Sequence, residues 1–216
     1  DVNRDGFQDL IRSADGSRSV YLNNGTGFYN ATDHATSEWI FPYDIVNYDP
    51  FKDKGVRLAD INGDGLLDLF KGRETEDRAV YLNTGKGWVD SSSSWNTTFD
   101  FDNVNYLDRG LREVDINNDG RVDVLEGSEA RAVKTAWINN GSTWIESPIW
   151  APPVYFTNGA NNDKGTRFDD VNGDGLIDIL VDFTNASETT RNAWINTGKG
   201  WTQNDSWKSA ESFTSG

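Results

Sequence analysis

The 216-residue sequence contains no cysteine and no methionine, a single histidine and five prolines. Without cysteine there are no disulfides, no thiolate metal sites and no cysteine nucleophile. With His34 as the one histidine, zinc sites and Ser-His-Asp triads are excluded as well. Positive charge is scarce: 20 Lys and Arg face 35 Asp and Glu, a formal net charge of −15. Such a surface repels nucleic acid and anionic lipid, so neither is an expected partner. No run of about 18 apolar residues occurs, so no membrane insertion is expected. Aromatic residues make up 12%, nine of them Trp, too many for a disordered acidic tail. At this length a single repeat domain over residues 1–216 is expected. The first residue already stands inside a motif and no signal peptide precedes it, so the chain reads as a mature piece or a fragment.

What the sequence has in abundance is repetition. The string DxNxDGxxD starts at Asp1, Asp60, Asp115 and Asp170, spacings of 59 and then twice 55 residues. Upstream recur Asp53-Lys54-Gly55-Val56-Arg57, Asp108-Arg109-Gly110-Leu111-Arg112 and Asp163-Lys164-Gly165-Thr166-Arg167. Downstream recur Val20-Tyr21-Leu22-Asn23, Val80-Tyr81-Leu82-Asn83, Ala136-Trp137-Ile138-Asn139 and Ala193-Trp194-Ile195-Asn196. A glycine turn and an aromatic (Phe28, Trp88, Trp144, Trp201) follow each of these. The repeats run approximately over 1–54, 55–109, 110–164 and 165–216. Short apolar runs between turn signals, with no sustained 3.6 period, predict strands. About four short strands in about 55 residues is the size of one propeller blade, so the expected fold is an all-β propeller of four-stranded blades. The first repeat lacks the strand that precedes the loop in the others, and a further loop is expected near position 225. The four repeats are therefore expected to belong to a larger ring.

The chemistry lies in the four loops, at 1–9, 60–68, 115–123 and 170–178. Their side chains are Asp1, Asn3, Asp5 and Asp9; Asp60, Asn62, Asp64 and Asp68; Asp115, Asn117, Asp119 and Asp123; and Asp170, Asn172, Asp174 and Asp178. Oxygens at alternate positions converge if the loop curls, and the glycine after the third of them permits a sharp turn. Position seven (Phe7, Leu66, Arg121, Leu176) offers a backbone carbonyl. Hard oxygen donors in a flexible loop suit Ca²⁺ better than Mg²⁺, so about four Ca²⁺ are expected, one per loop. Each loop carries three Asp, and four Ca²⁺ would bring the net −15 to −7. An EF-hand is excluded, because position 12 is Arg12, Lys71, Glu126 or Val181 and strands flank the loop. The alternatives are that the strings are plain Asx turns, or that calcium serves only to hold the loops in place.

These residues carry a family resemblance. Ala59-Asp60-Ile61-Asn62-Gly63-Asp64-Gly65-Leu66-Leu67-Asp68-Leu69 and Val80-Tyr81-Leu82-Asn83-Thr84-Gly85-Lys86-Gly87-Trp88 resemble the FG-GAP/VCBS repeats of integrin α-subunits and of many secreted proteins. The turn sequence is most similar to repeats of Tc/RHS-class toxin subunits and secreted surface proteins. The resemblance implies a β-propeller, one Ca²⁺ per marked blade, and an extracellular, secreted or cell-surface role in adhesion or scaffolding. The partner would be a protein or glycan ligand, or further blades of the same parent chain. No enzymatic activity is expected, since nearly every notable acid already belongs to a loop. The alternatives are a structural shell element of a toxin or surface assembly, and an accessory propeller of a polysaccharide-active enzyme.

The tryptophans fall into three columns: Trp137 and Trp194 with Tyr21 and Tyr81; Trp88, Trp144 and Trp201 with Phe28; and Trp39, Trp95, Trp150 and Trp207. Packing between blades and sugar stacking are both open to them, and the third column is the better sugar candidate. Arg57, Arg112 and Arg167, three residues before a loop, are expected to buttress an acid or a carbonyl. N-x-S/T acceptors stand at Asn24, Asn30, Asn96, Asn140, Asn185 and Asn204, glycan sites if the host is a eukaryote.

Overall fold

The computed structural model describes residues 1–33, 38–48, 51–74, 78–95, 97–102, 105, 107–184, 189–209 and 213–215. His34, Asn96 and Asn185 lie outside the described residues. The acidic loops at 60–68, 115–123 and 170–178 each connect two antiparallel strands, loop 1 leads into the first strand, and glycine turns make later connections, so the strands run as meanders. The first sheet holds β1 (Leu10–Ala14), β2 (Ser17–Asn23) and β3 (Phe28–Asn30), joined by β4 (Val46–Tyr48) and β5 (Phe51–Asp53). The second runs β6 (Val56–Ala59), β7 (Asp68–Lys71), β8 (Ala79–Asn83) and β9 (Trp88–Asp90). The third runs β10 (Leu111–Val114), β11 (Asp123–Ser128), β12 (Val133–Asn139) and β13 (Trp144–Glu146). The fourth holds β14 (Thr166–Asp169), β15 (Asp178–Thr184), β16 (Thr189–Asn196) and β17 (Trp201–Gln203), with β18 (Thr214–Ser215) on β15. The fold is all-β and built of propeller-like blades; among the described residues the only helical turns are short 3-10 turns at Pro148–Trp150 and Asp205–Trp207.

The chain divides into two compact units, Asp1–Leu107 with Gly141–Thr143, and Asp108–Asn140 with Trp144–Gly216. Each contains two sheets. The second strand of a blade is buried on both faces, as at Leu69 and Phe70 in β7 and at Val124 and Leu125 in β11. Double burial explains why these strands read as continuous apolar runs instead of alternating.

After its outermost strand, each repeat returns across its own sheet. The returning segment pairs in parallel beyond the second strand: Ala14 with Val46, Arg73 with Asp102, Ser128 with Thr157 and Phe183 with Thr214. The D-x-G-x-R string then clips the chain into the next blade. Asp53 Oδ1 accepts from Gly55 N (2.7 Å) and Arg57 Nη1 (3.0 Å), and Arg57 Nη1 also donates to Val56 O (3.0 Å). Arg112 repeats this with Asp108 and Leu111, and Arg167 with Asp163 and Thr166. The recurring arginines are buttresses of an acid and a carbonyl, as expected. Glycine is required in the clip because Gly55 sits at φ +67 and a Cβ there would meet Gly72 O at 2.4 Å.

Aromatic joints lock the two sheets of each unit together. In the first unit Trp88 meets Trp39 and Phe41 edge-to-face, with ring centres 6.2 and 5.5 Å apart, around a core of Val2, Val20, Leu22, Val56 and Leu69. In the second, Trp201 meets Trp150 at 5.9 Å and its Nε1 donates to Trp150 O. Such pairs add about 0.5–1.5 kcal/mol to the burial itself. The third tryptophan column is therefore corrected as a sugar platform. Trp95 and Trp150 are buried and Trp39 is spent on Trp88; Trp207, 44% exposed, is the member with an open face.

Candidate metal loops

The four loops share one internal scaffold. In loop 2, Asp60 Oδ1 accepts from the amides of Gly63 (2.7 Å) and Asp64 (3.1 Å), and its Oδ2 from Gly65 (2.7 Å). Asn62 Oδ1 accepts from Asp64 N (2.8 Å), and Asp64 Oδ1 from Leu66 N (2.8 Å). Asn62 Nδ2 donates to Asp64 Oδ2 (2.9 Å), gathering the second and third side chains. Loop 4 repeats these bonds around Asp170, Asn172 and Asp174. Loop 1 keeps all but the position-four amide bond around Asp1, Asn3 and Asp5, and loop 3 does the same around Asp115, Asn117 and Asp119. The curl rests on positive φ at position four, carried by Arg4, Gly63, Asn118 and Gly173, and on glycine at position six.

The ninth-position aspartates do something the spacing alone did not reveal. Asp68 is fully buried; its Oδ2 accepts from Ile61 N (3.0 Å) and its Oδ1 from Asn83 N (2.8 Å). Asp9, Asp123 and Asp178 make the same pair of bonds to Val2 and Asn23, Ile116 and Asn139, and Val171 and Asn196. This carboxylate ties the loop to the end of the third strand. Among the described residues no three His, Cys, Asp or Glu side chains are drawn together tightly enough to hold a metal by themselves.

A family model for the FG-GAP-like repeat matches residues 1–71, 60–126 and 115–181. The chain belongs to the FG-GAP-like repeat family. This FG-GAP-like chain is similar in fold to a lectin of Agrocybe aegerita described by its recognition of non-reducing terminal N-acetylglucosamine. That similarity has a TM-score of 0.62 at 20% identity and covers 99% of this chain and 52% of the lectin. It is also similar to the Tc holotoxin pore of Photorhabdus luminescens, with a TM-score of 0.47 at 18% identity over 92% of this chain and 9% of the toxin chain. The chain thus spans about half the length of the lectin it matches. No curated protein matches it. Among the described residues no helix is long and apolar enough to cross a membrane.

The donors of the FG-GAP-like loops are all hard oxygens: carboxylates, the Asn amide and the position-seven carbonyl. That chemistry fits Ca²⁺. Each oxygen of Asp68 accepts one amide and retains a second lone pair. Its environment also favours a cation. Burial pushes the Asp68 carboxyl up to about 6 against the two amide bonds, and the charges of Asp64 and Asp60 push the same way. Burial pushes Asp123 up to about 7 and raises Asp178, with the two neighbouring loop aspartates adding in each case. Asp170, held by the Gly175 amide first and then by other loop amides, is lowered.

Loops 2 and 4 contain no basic residue, whereas loop 3 supplies its own cation: Arg121 Nη2 donates to Asp119 Oδ2 at 2.6 Å. A pair of this exposure is worth up to about 1 kcal/mol, and a bound cation must displace it. Arg121→Leu, which installs the residue already present at positions 66 and 176, is expected to tighten calcium at loop 3 by about fivefold. A calcium titration followed at the Gly120 amide checks this; unchanged affinity would mean that Arg121 does not compete.

Four of the N-x-S/T acceptors fall in the described residues. Asn24, Asn140 and Asn204 are exposed, and Asn30 is half-buried with its Nδ2 donated to Asp33.

Proposed function

We propose that this chain is a calcium-stabilised, non-catalytic extracellular module that binds a protein or glycan ligand. The observation that carries it is the loop scaffold repeated four times, which gathers acidic oxygens at one end of every sheet, with no basic residue inside loops 2 and 4. About four Ca²⁺ would sit there. They would be held by Asp1, Asn3, Asp5, Asp9 and the Phe7 carbonyl, and by the matching residues of the other loops. When bound, the metal supplies positive charge that draws the carboxylates together. The chain's own part is to fix the loop curl through its amides and to anchor the ninth-position carboxylate to the sheet. Sites of this extracellular kind bind on the order of 10⁻⁴–10⁻³ M, filled outside cells and mostly empty in cytosol. The negative surface disfavours nucleic acid and anionic membranes as partners. Glycan binding draws support from the shared fold with a lectin and from the exposed Trp207 ring.

The test is a glycan array probed with the chain in about 5 mM CaCl₂ and again in EGTA, beside isothermal titration with CaCl₂ and MgCl₂. Calcium-dependent retention on a defined set of terminal sugars, lost in Trp207→Ala, is the expected outcome. Calcium uptake without any glycan retention would move the ligand to the protein class. No calcium uptake would remove the reading.

A further inference from the structure

The asparagines that end the third strands of the second and fourth blades, Asn83 and Asn196, are not among the loop donors, yet their side chains are fully bonded. Asn83 is 2% exposed. Its Nδ2 donates to Val2 O at 2.7 Å and to Leu67 O at 3.2 Å, and its Oδ1 accepts from Gly85 N at 2.9 Å. Both amide hydrogens and the carbonyl are thus committed, and no rotation of the side chain keeps these bonds. Val2 belongs to loop 1 and Leu67 to loop 2.

Val2 and Asn83 connect the two anchoring carboxylates. Val2 N donates to Asp9 Oδ2 at 2.7 Å, and Val2 O accepts from Asn83. Asn83 N in turn donates to Asp68 Oδ1 at 2.8 Å, and Asp68 Oδ2 accepts from Ile61 N at 3.0 Å. The ninth ligand position of loop 1 is therefore joined to that of loop 2 through the backbone of one residue, Val2, and one asparagine. The second unit repeats the path. Asp123 Oδ2 accepts from Ile116 N, Ile116 O from Asn196 Nδ2 at 2.7 Å, and Asp178 Oδ1 from Asn196 N at 2.8 Å. Val2, Ile116 and Asn196 are at most 3% exposed, so water does not replace a bond that shifts. In the first unit a second tie runs beside the path: Arg4 Nη1 donates to Asp64 O at 2.6 Å.

We propose that Asn83 and Asn196 couple calcium binding at the paired loops, so that a cation in loop 1 strengthens binding in loop 2, and one in loop 3 strengthens loop 4. The proposal rests on the calcium reading of the loops. A cation drawing on Asp9 fixes the two peptide groups flanking the buried Val2, which fixes Asn83 and with it the amide that aims Asp68. The second cation then finds its anchor already ordered. Coupling is reciprocal, so the effect is the same in either direction. Asn83 and Asn196 are positioning residues, since they act through the anchoring carboxylates.

The experiment titrates the full chain with CaCl₂ and follows the Gly65 amide of loop 2 by ¹⁵N NMR. The chains compared are the parent, Asp5→Ala, Asn83→Ala, Asn83→Asp and the two double variants. Crippling loop 1 with Asp5→Ala is expected to weaken loop 2 about fivefold, at the low end of measured couplings. In either Asn83 background the same change should weaken it less than about twofold. Asn23→Ala, whose Nδ2 donates within its own blade to Gln8 O, should leave the coupling intact. An equal Asp5→Ala effect with and without Asn83, or none with Asn83 present, overturns the proposal. The comparison of parent with Asp5→Ala leaves Asn83 untouched and stands even if the Asn83 variants fold poorly. If neither Gly6 nor Gly65 moves with calcium in the parent, the calcium reading itself falls and takes the coupling with it.

Discussion

Calcium at about 10 mM is expected to raise the unfolding midpoint of this chain by at least about 10 °C over the same chain in EGTA, with MgCl₂ giving a small fraction of that. At dissociation constants of 10⁻⁴–10⁻³ M, each occupied loop contributes about 1.4–2.7 kcal/mol. Two loops in one compact unit give about 3–5 kcal/mol, and a unit of this size moves by several degrees per kcal/mol. The effect should depend on pH in a definite direction. Asp68 and Asp123, at about 6 and about 7, stand above their ordinary value of 3.8, and Asp178 is raised as well. In the folded chain these groups keep a proton that the unfolded chain has already lost. Without calcium, stability therefore rises as pH falls from about 7 towards about 4. Calcium needs the carboxylates ionised, so its contribution shrinks over the same window. Differential scanning fluorimetry at pH 7.5 and pH 5, with calcium and with EGTA, reads both trends. A calcium shift of equal size at the two pH values would mean that the buried carboxylates are not involved.

The second large effect does not need the metal. Asp68→Ala is expected to cost about 3–5 kcal/mol even in EGTA, because it leaves the Ile61 and Asn83 amides unpaired. Each such loss costs about 1–3 kcal/mol, and a small cavity adds to it. Asp68→Asn keeps the volume but presents one acceptor and one donor to two N–H groups, and is expected to cost about half as much. Asp60→Ala removes a carboxylate whose amide partners Gly63 and Gly65 are exposed. It should change stability little in EGTA and sharply in calcium. Urea unfolding of the three variants in both conditions separates the roles. Equal behaviour of Asp60→Ala and Asp68→Ala in EGTA would contradict the division between metal donor and sheet anchor.

Much of this was legible in the sequence because turns and loops are written in local chemistry. Aspartate and glycine at fixed offsets specify the curl, and the glycine two residues after Asn83 or Asn196 specifies the hairpin, so the order of loop and hairpin follows from spacing. Arg57 was readable as a buttress because its partners, Asp53 and Val56, lie within four residues of it. The parallel return of Val46 onto Ala14 or Thr157 onto Ser128 was not readable, since nothing local marks a pairing of that separation. The third tryptophan column was misjudged for a related reason: irregular sequence around Trp95 and Trp150 suggested an open loop, whereas the fold brings that segment into the core. The Asn83 bond to Val2 was hidden as well. Its signal, an asparagine recurring at 23, 83, 139 and 196, was visible, but recurrence alone does not name the acceptor.

That bond also sets an order of events when the chain folds. Hairpins such as β7–β8 join residues close in sequence and form early, and each acidic curl is complete within nine residues. The bonds that bring two blades together span 81 residues from Asn83 to Val2 and 80 from Asn196 to Ile116. Closing such distances is the slow part of folding. During synthesis, loop 1 emerges long before the asparagine that will join it to loop 2 has been made.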